Sequence, residues 1–263
     1  KIYATENPGY PKPYLIYKSN KAICVHIPMD EQGIDVGYLK KTEADIVHIT
    51  PSHHFPTGMI MPVARRYELL KWAYENKDRY IIEDDYDSEF RMYGKPIPSL
   101  KSIDEIGKVI YINTFSKTIS PSIRIAYMVL PSELMSRFRN ELYYYTSTVA
   151  SLEQKTLALF ISRGYFEKHI YRMKNIYRIK RDAIINFIKT SSASSKCEIL
   201  ESDSGLHFLL KIKTDSKDED VIDKAEKEGI RISTVSRYCF NRESFLEYHK
   251  LEHQFIINYA GIE

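Results

Sequence analysis

The chain has 263 residues, 43% of them apolar, enough for a sizeable core in one large α/β unit or two modest ones without disulfides. Its 38 Lys and Arg against 35 Asp and Glu leave a formal charge of +3, a weak argument for nucleic-acid binding by this chain itself. Three widely spaced cysteines, Cys24, Cys197 and Cys239, imply neither a disulfide framework nor a clustered thiolate metal site, and the chain reads as cytoplasmic. No apolar run approaches the roughly 18 residues of a membrane span, so no membrane partner is expected. The tyrosines, 21 in number, are read first as packing residues.

Residues 1–6 lead straight into a turn at Asn7-Pro8-Gly9. Apolar runs at 21–27, 45–50, 80–84, 108–112 and 124–130 then read as strands. Most are near-continuous rather than alternating, which suits strands buried on both faces of a largely parallel sheet. Residues 62–77 read as an amphipathic helix, with Val63, Tyr67, Leu70 and Tyr74 at three- and four-residue steps and Pro62 at its start. After Pro131, Ser132 followed by Glu133 marks a helix start, and 132–190 is mostly helical in pattern, broken near Gly164. Ile170, Met173, Ile176 or Tyr177, and Ile184 line one side of its long second part. A loop at 191–196 precedes strands at 205–212, 230–235 and 253–260 and a polar helix around 219–228, a small module with an antiparallel sheet. The expected division is a large domain over 1–135, incomplete at its N-terminus, an inter-domain helical region over 136–165, and a small C-terminal domain over 166–263. Both ends look cut, and the small domain's last helix is expected beyond Glu263.

Three clusters follow apolar runs, where open α/β sheets bind ligands. The first, IIEDDYDSEF at 81–90, puts Asp84 and Asp85 at a strand end before Tyr86. Adjacent His53 and His54 are poorly spaced for two ligands on one side of an element, so no metal is expected. The second, at 112–130, sets Lys117 among Thr114, Ser116 and Thr118, with Arg124 seven residues on. Hydroxyls, backbone N–H groups and an arginine hold phosphate, and a lysine beside them is a point-charge ligand or an amine nucleophile. The third, TPSHHFPTG at 50–58, is a shaped turn. Together, a carboxylate, a lysine and a phosphate-gripping Ser/Arg pair are what pyridoxal 5'-phosphate needs: an imine partner, a group that keeps the ring nitrogen protonated, and an anchor.

On ENPGY (6–10), TPSHHFPTG (50–58), IIEDDYDSEFR (81–91), NTFSKTISPSIRIAYMVLP (113–131) and VSRY (235–238), the chain resembles the aminotransferase-like domain of MocR-type members of the GntR transcriptional regulators. EDDYDSEF with TFSK about thirty residues later is the specific pairing. The resemblance implies a fold-type I α/β architecture, with a largely parallel sheet in the large domain and a small α/β C-terminal domain. It also implies pyridoxal 5'-phosphate bound at Lys117, Asp84 on the pyridine nitrogen, and Tyr86 on the ring's phenolic oxygen. Asp84 is assigned over Asp85 because the group's pattern is Asp-x-Tyr, and alternation along an extended segment puts Asp84 and Tyr86 on one face. Tyr10 would lie against the ring, Ser116 and Arg124 would hold the phosphate, and Arg237 would grip a ligand carboxylate.

The chain departs from the family where fold-type I enzymes carry Asn before Pro. Phe55 stands there, with His53 as the stand-in, and the last strand, QFIINY, lacks the usual arginine. Lys12, near Tyr10, keeps a positive charge for the ligand but not the bidentate fork of arginine. The implied function is effector sensing and homodimerisation, with a small amine or amino acid forming an external aldimine at Lys117, and DNA bound through an upstream winged helix-turn-helix outside this chain. A working aminotransferase using Lys117, Asp84 and Tyr86 is the alternative, and a dimerisation module without cofactor the third. Either way a homodimer is implied, with Tyr143-Tyr144-Tyr145 contributing either to it or to packing between domains. The basic run Arg172, Lys174, Arg178, Lys180, Arg181 reads as a solvated face, Cys24, Cys239 and His207 as structural, and Trp72 as core or interface.

Overall fold

The computed structural model describes residues 1–92, 94, 97–240 and 251–261; the final residues, 262 and 263, lie outside the described residues. β1 (Ile2–Asn7) leads into α1 (Pro11–Ser19), whose prolines sit in the first turn. β2 (Ile23–Asp30) and β3 (Gly33–Ile34) form a short hairpin, followed by α2 (Val36–Leu39) and β4 (Ile46–Ile49). The chain continues through α3 (Val63–Tyr74), β5 (Tyr80–Asp84), α4 (Leu100–Ile103), β6 (Val109–Thr114), α5 (Phe115–Thr118) and β7 (Ala126–Val129). Among the described residues these strands make a seven-stranded sheet in the order β3-β2-β1-β4-β5-β6-β7. The inner pairs β2-β1, β1-β4, β4-β5 and β5-β6 are parallel, while β3 and β7 run antiparallel to their neighbours.

This topology decides where chemistry can gather. Parallel pairing brings the carboxyl ends of β1, β4, β5 and β6 to one edge. Because β7 is antiparallel and Thr114 pairs with Ala126, the amino end of β7, with Arg124 just before it, reaches that same edge.

α6 (Ser132–Glu141), α7 (Ser151–Ser162) and the long α8 (Tyr165–Thr190) follow. Gly164, at φ 70°, supplies the left-handed residue between α7 and α8. β8 (Cys197–Leu200), β9 (His207–Ile212), α9 (Asp218–Lys227), β10 (Ser233–Thr234) and β11 (Gln254–Asn258) complete the described chain. Their antiparallel sheet has the order β10-β11-β9-β8. No helix among the described residues is long and apolar enough to cross a membrane.

The main core lies between the large sheet and α2, α3 and α4, with Val47, Ile49, Leu69, Trp72 and Ile81 fully or almost fully shielded from water. Several expectations need correction. Residues 2–7 are an inner strand rather than the lead-in to a turn. Their polar side chains disguise it, but Thr5 hydrogen-bonds His26 and Glu6 bonds Thr50. On α3, Val63 and Tyr67 are exposed, and the buried face runs through Arg66, Leu69, Leu70 and Ala73. Arg66 can be buried because its guanidinium donates to the carbonyls of Met61, Pro98 and Pro51 and lies 3.6 Å from Glu83. Arg181 leaves the expected solvated face of α8: it is buried and donates to the Ser202 carbonyl. Ile176 is exposed while Tyr177 is half-buried, and of 230–235 only Ser233 and Thr234 pair in the sheet.

All four residues of β7 are exposed, α7 buries none of its side chains, and Tyr143, Tyr144 and Tyr145 are 79%, 63% and 66% exposed. These elements give the chain a broad uncovered apolar surface.

Candidate ligand-binding cleft

A cleft of about 470 Å³ opens at the shared edge of the large sheet. Its size suits a small-molecule site. Thr5, Glu6 and Tyr10 reach it from the end of β1, His48, Thr50 and Phe55 from β4 and the loop after it, and Asp84 and Tyr86 from the end of β5. Thr114, Ser116 and Lys117 come from the β6–α5 junction, Arg124 from before β7, and Lys12 from α1.

The sheet order separates charge across this cleft. The Asp84 carboxyl sits at the end of β5, whereas Ser116, Lys117 and Arg124 cluster toward β6 and β7, with Lys12 a further cation from α1. At the cationic side, Thr114 caps α5, accepting from the Ser116 N–H at 3.1 Å and donating to the Ile125 carbonyl at 3.2 Å. The Phe115 N–H donates to that same carbonyl at 2.9 Å, so the start of α5 is tied to the residue after Arg124. Arg124 itself is held at φ 52°, a left-handed conformation uncommon for a residue with a side chain. Lys117 is exposed toward the cleft.

At the acidic side, Asp84 and Tyr86 face the cleft, whereas Asp85 is buried and accepts from the Tyr111 hydroxyl at 2.9 Å. The end of β5 is anchored by Glu83, whose carboxylate accepts the N–H groups of Leu100 and Lys101 at the start of α4, each at 2.8 Å. Burial pushes the Glu83 carboxyl up to about 7, against the lowering by those two N–H groups. The Tyr86 hydroxyl donates to the His53 carbonyl at 3.0 Å. Burial, then the neighbouring Asp87, holds that hydroxyl far above its ordinary range, so Tyr86 stays a donor.

His53 does not face the cleft. It is almost wholly buried behind Tyr86, with Nδ1 2.8 Å from Asp87 Oδ2 and its ring 4.3 Å from that of His207. Phe55 takes the position at the cleft wall, edge-on to Tyr10 and to Tyr238. Arg237 is exposed and is not among the residues lining the cleft. It lies on the single helical turn Val235–Tyr238, beside a latch in which the Gly9 N–H donates to the Tyr238 carbonyl and Asn7 exchanges two hydrogen bonds with Phe240. Lys12 lines the cleft, its Nζ 5.9 Å above the Tyr10 ring.

His48 lies in no motif, and Glu6 and Thr50, though they open the ENPGY and TPSHHFPTG segments, have no role assigned by sequence, yet all three reach the cleft. Glu6 is buried and accepts from the Thr50 N–H and hydroxyl, at 3.1 and 2.9 Å, with His54 Nε2 at 3.4 Å. Burial pushes its carboxyl up to about 8 in spite of the Thr50 bonds. Burial, and then His53, hold the His54 imidazole down to about 3, so the pair is neutral near pH 7.

Comparison with known proteins found no matching family model. The chain is 42% identical over 231 residues to the uncharacterized HTH-type transcriptional regulator YdeL of Bacillus subtilis, covering 88% of this chain and 50% of that protein. It is 31% identical over 258 residues to the probable rhizopine catabolism regulatory protein MocR of Rhizobium meliloti, covering 98% of this chain and 50% of the relative. The chain thus spans about half the length of these curated relatives. Among solved structures, the kynurenine aminotransferase of Pyrococcus horikoshii superposes with a TM-score of 0.82 at 22% identity, covering 100% of this chain and 65% of that one. The aromatic aminotransferase Aro9 of C. albicans gives 0.84 at 18% identity, with the same coverage of each chain. The fold is that of the fold-type I aminotransferases.

Proposed function

Since this chain belongs to the aminotransferase-like domain family of the MocR-type regulators, we propose that it binds pyridoxal 5'-phosphate and serves as the effector-sensing and dimerisation domain of a transcriptional regulator. The observation that carries this reading is the division of the cleft, with Asp84 on one side and Lys117, Ser116, Thr114 and Arg124 on the other. That donor set fits an elongated molecule with a protonated ring nitrogen at one pole and a phosphate at the other.

When bound, the cofactor supplies an aldehyde that captures primary amines and a ring that draws electrons from them. Lys117, which reaches the cleft from α5, would hold the cofactor through its side-chain amine. Asp84 would hold the ring nitrogen and its proton. Tyr86, whose hydroxyl now donates to the His53 carbonyl, would donate instead to the phenolic oxygen. Ser116 and Arg124 would hold the phosphate, and Tyr10, at the cleft wall, would lie against the ring. Lys12, and Arg237 once its segment moves inward, pair with the ligand carboxylate, which is costly to bury unpaired.

The exposed apolar surface of β7, α7 and Tyr143–Tyr145 supports a second copy of the chain as partner. DNA binding in the intact protein is assigned to a part outside these residues, following the relatives named as HTH-type regulators.

The deciding experiment adds amino acids and small amines to the intact, cofactor-loaded protein. A saturable change in its visible spectrum, with little or no release of keto product, is expected. Multiple turnover at about 1 s⁻¹ or faster, within the range of ordinary enzymes, would move the reading to an aminotransferase.

A further inference from the structure

His48 lies within β4, its side chain 10% exposed, with one ring nitrogen toward α1 and the other toward β5. Nδ1 is 2.6 Å from the Tyr17 hydroxyl. Nε2 is 3.4 Å from Asp84 Oδ2; it is buried and makes no hydrogen bond among the described residues. A buried, unsatisfied ring nitrogen is costly, and the Asp84 carboxylate stands beside this one, within reach but off the line of a hydrogen bond.

We propose that Tyr17 and His48 are positioning residues for Asp84, linked as a relay in which Tyr17 O–H donates to His48 Nδ1 and His48 Nε2–H donates to Asp84 Oδ2. The proposal rests on the cofactor reading above and extends it to residues that do not touch the cofactor's reacting atoms.

Tyr17 is fixed by its ring, stacked on Tyr3 at a centroid distance of 4.2 Å. Burial, then Tyr3 and Asp84, raises its hydroxyl above the ordinary range, so it remains a donor at any working pH. With Nδ1 occupied as an acceptor, a neutral imidazole must carry its proton on Nε2. Asp84 Oδ2 lies 3.4 Å from Nε2 but off the hydrogen-bond line, and a small shift of the carboxylate as it is drawn into use would align the two, as site hydrogen bonds tighten on ligand binding. One carboxylate oxygen is then satisfied from behind, and the other is left for the ring nitrogen. Outer partners of this kind fix both the orientation and the tautomer of the group they hold.

Glu6 and Tyr86, which border Asp84, and Tyr3, which stacks on Tyr17, are uncharged near pH 7. Glu6, from β1, is neutral near pH 7 because burial pushes its carboxyl up to about 8. Tyr86, from the end of β5, and Tyr3, from β1, both have hydroxyls raised by burial and stay uncharged. Lys117, from α5, lies on the cationic side of the same cleft.

Two measurements on the intact protein test the relay. The first, on cofactor-free protein, reads the ¹⁵N shifts of His48. The Nε2–H tautomer is expected, and Tyr17→Phe, which keeps the ring stack, should mix the two tautomers. An Nδ1–H tautomer in the wild type would overturn the relay. The second reads the dissociation constant for pyridoxal phosphate. His48→Phe should weaken binding about ten-fold or more, the weight of a hydrogen bond to a charged group. His48→Gln, whose amide can still donate to Asp84, should recover most of that loss. Unchanged affinity in a folded His48→Phe protein, or equal losses in both variants, would refute the positioning role. If the wild type binds no pyridoxal phosphate, the cofactor reading itself fails, and the tautomer measurement alone then decides whether the hydrogen-bonded chain exists.

Discussion

His53 and Asp87 meet as a buried pair, Nδ1 to Oδ2 at 2.8 Å, and so tie the loop after β4 to the loop after β5 directly behind Tyr86. The small sheet closes over the pair. Gly205 sits against the His53 imidazole, with its N–H donating to the Phe90 carbonyl at 3.2 Å and its own carbonyl accepting from the Tyr259 hydroxyl. The backing of Tyr86 is therefore assembled from three distant stretches of chain.

Gly205 has two reasons to be glycine. Its φ is 69°, and a Cβ there would stand 1.9 Å from Nδ1 and Cε1 of His53. Neither His53 nor the backbone can give way cheaply, because the imidazole is buried and hydrogen-bonded to Asp87. Gly205→Ala should lower stability by about 2 kcal/mol or more. Chemical denaturation of the intact protein checks this, and an unshifted midpoint would contradict it.

Glu6 makes stability depend on pH in a particular direction. Its folded carboxyl is raised from an ordinary 4.5 to about 8, so between those values the folded state binds more protons than the unfolded one. Its contribution is fully present below about pH 4.5 and lost as pH rises through about 8. Glu6→Gln, which mimics the protonated form, should match the wild type near pH 5 and exceed it in stability above pH 8. Parallel denaturation series at both pH values read the difference, and a constant offset would contradict it.

Much of this site was legible in the sequence because its chemistry falls where apolar runs end. Asp84, Tyr86, Lys117 and Arg124 stand at such boundaries, and parallel pairing brings boundaries together. Asp84 rather than Asp85 faces the cleft, as the two-residue alternation with Tyr86 requires. His48 was hidden because it sits within a strand, and its partner Tyr17 lies on a helix that begins with prolines and carries little apolar periodicity. Glu6 was hidden because a buried, neutral carboxyl looks like surface until the Thr50 donors are in place. His53 illustrates the converse: the motif drew attention to it, but the Asp87 carboxylate holds it behind the cleft wall. Arg66 was unreadable as buried because carbonyls of Pro51 and Pro98 satisfy it, and Arg181 because the adjacent Asp182 carboxylate and the distant Ser202 carbonyl together do.

Arg237 is exposed, next to the latch that joins Tyr238 and Phe240 to residues 7–9. If it pairs with a ligand carboxylate after its segment moves, Arg237→Ala should keep the bound cofactor and lose the spectral response to amino acids. Responses to simple amines without a carboxylate should survive. Loss of cofactor with an unaltered amino-acid response in the remainder would contradict this role.

The most direct test of the whole reading is covalent. Intact protein is loaded with pyridoxal phosphate, treated with borohydride, digested, and the modified peptide identified by mass. The expected result is a phosphopyridoxyl group on Lys117, absent in Lys117→Ala, with the other lysines unmodified. Failure to take up pyridoxal phosphate, or an adduct that persists unchanged in Lys117→Ala, would contradict the assignment of this cleft.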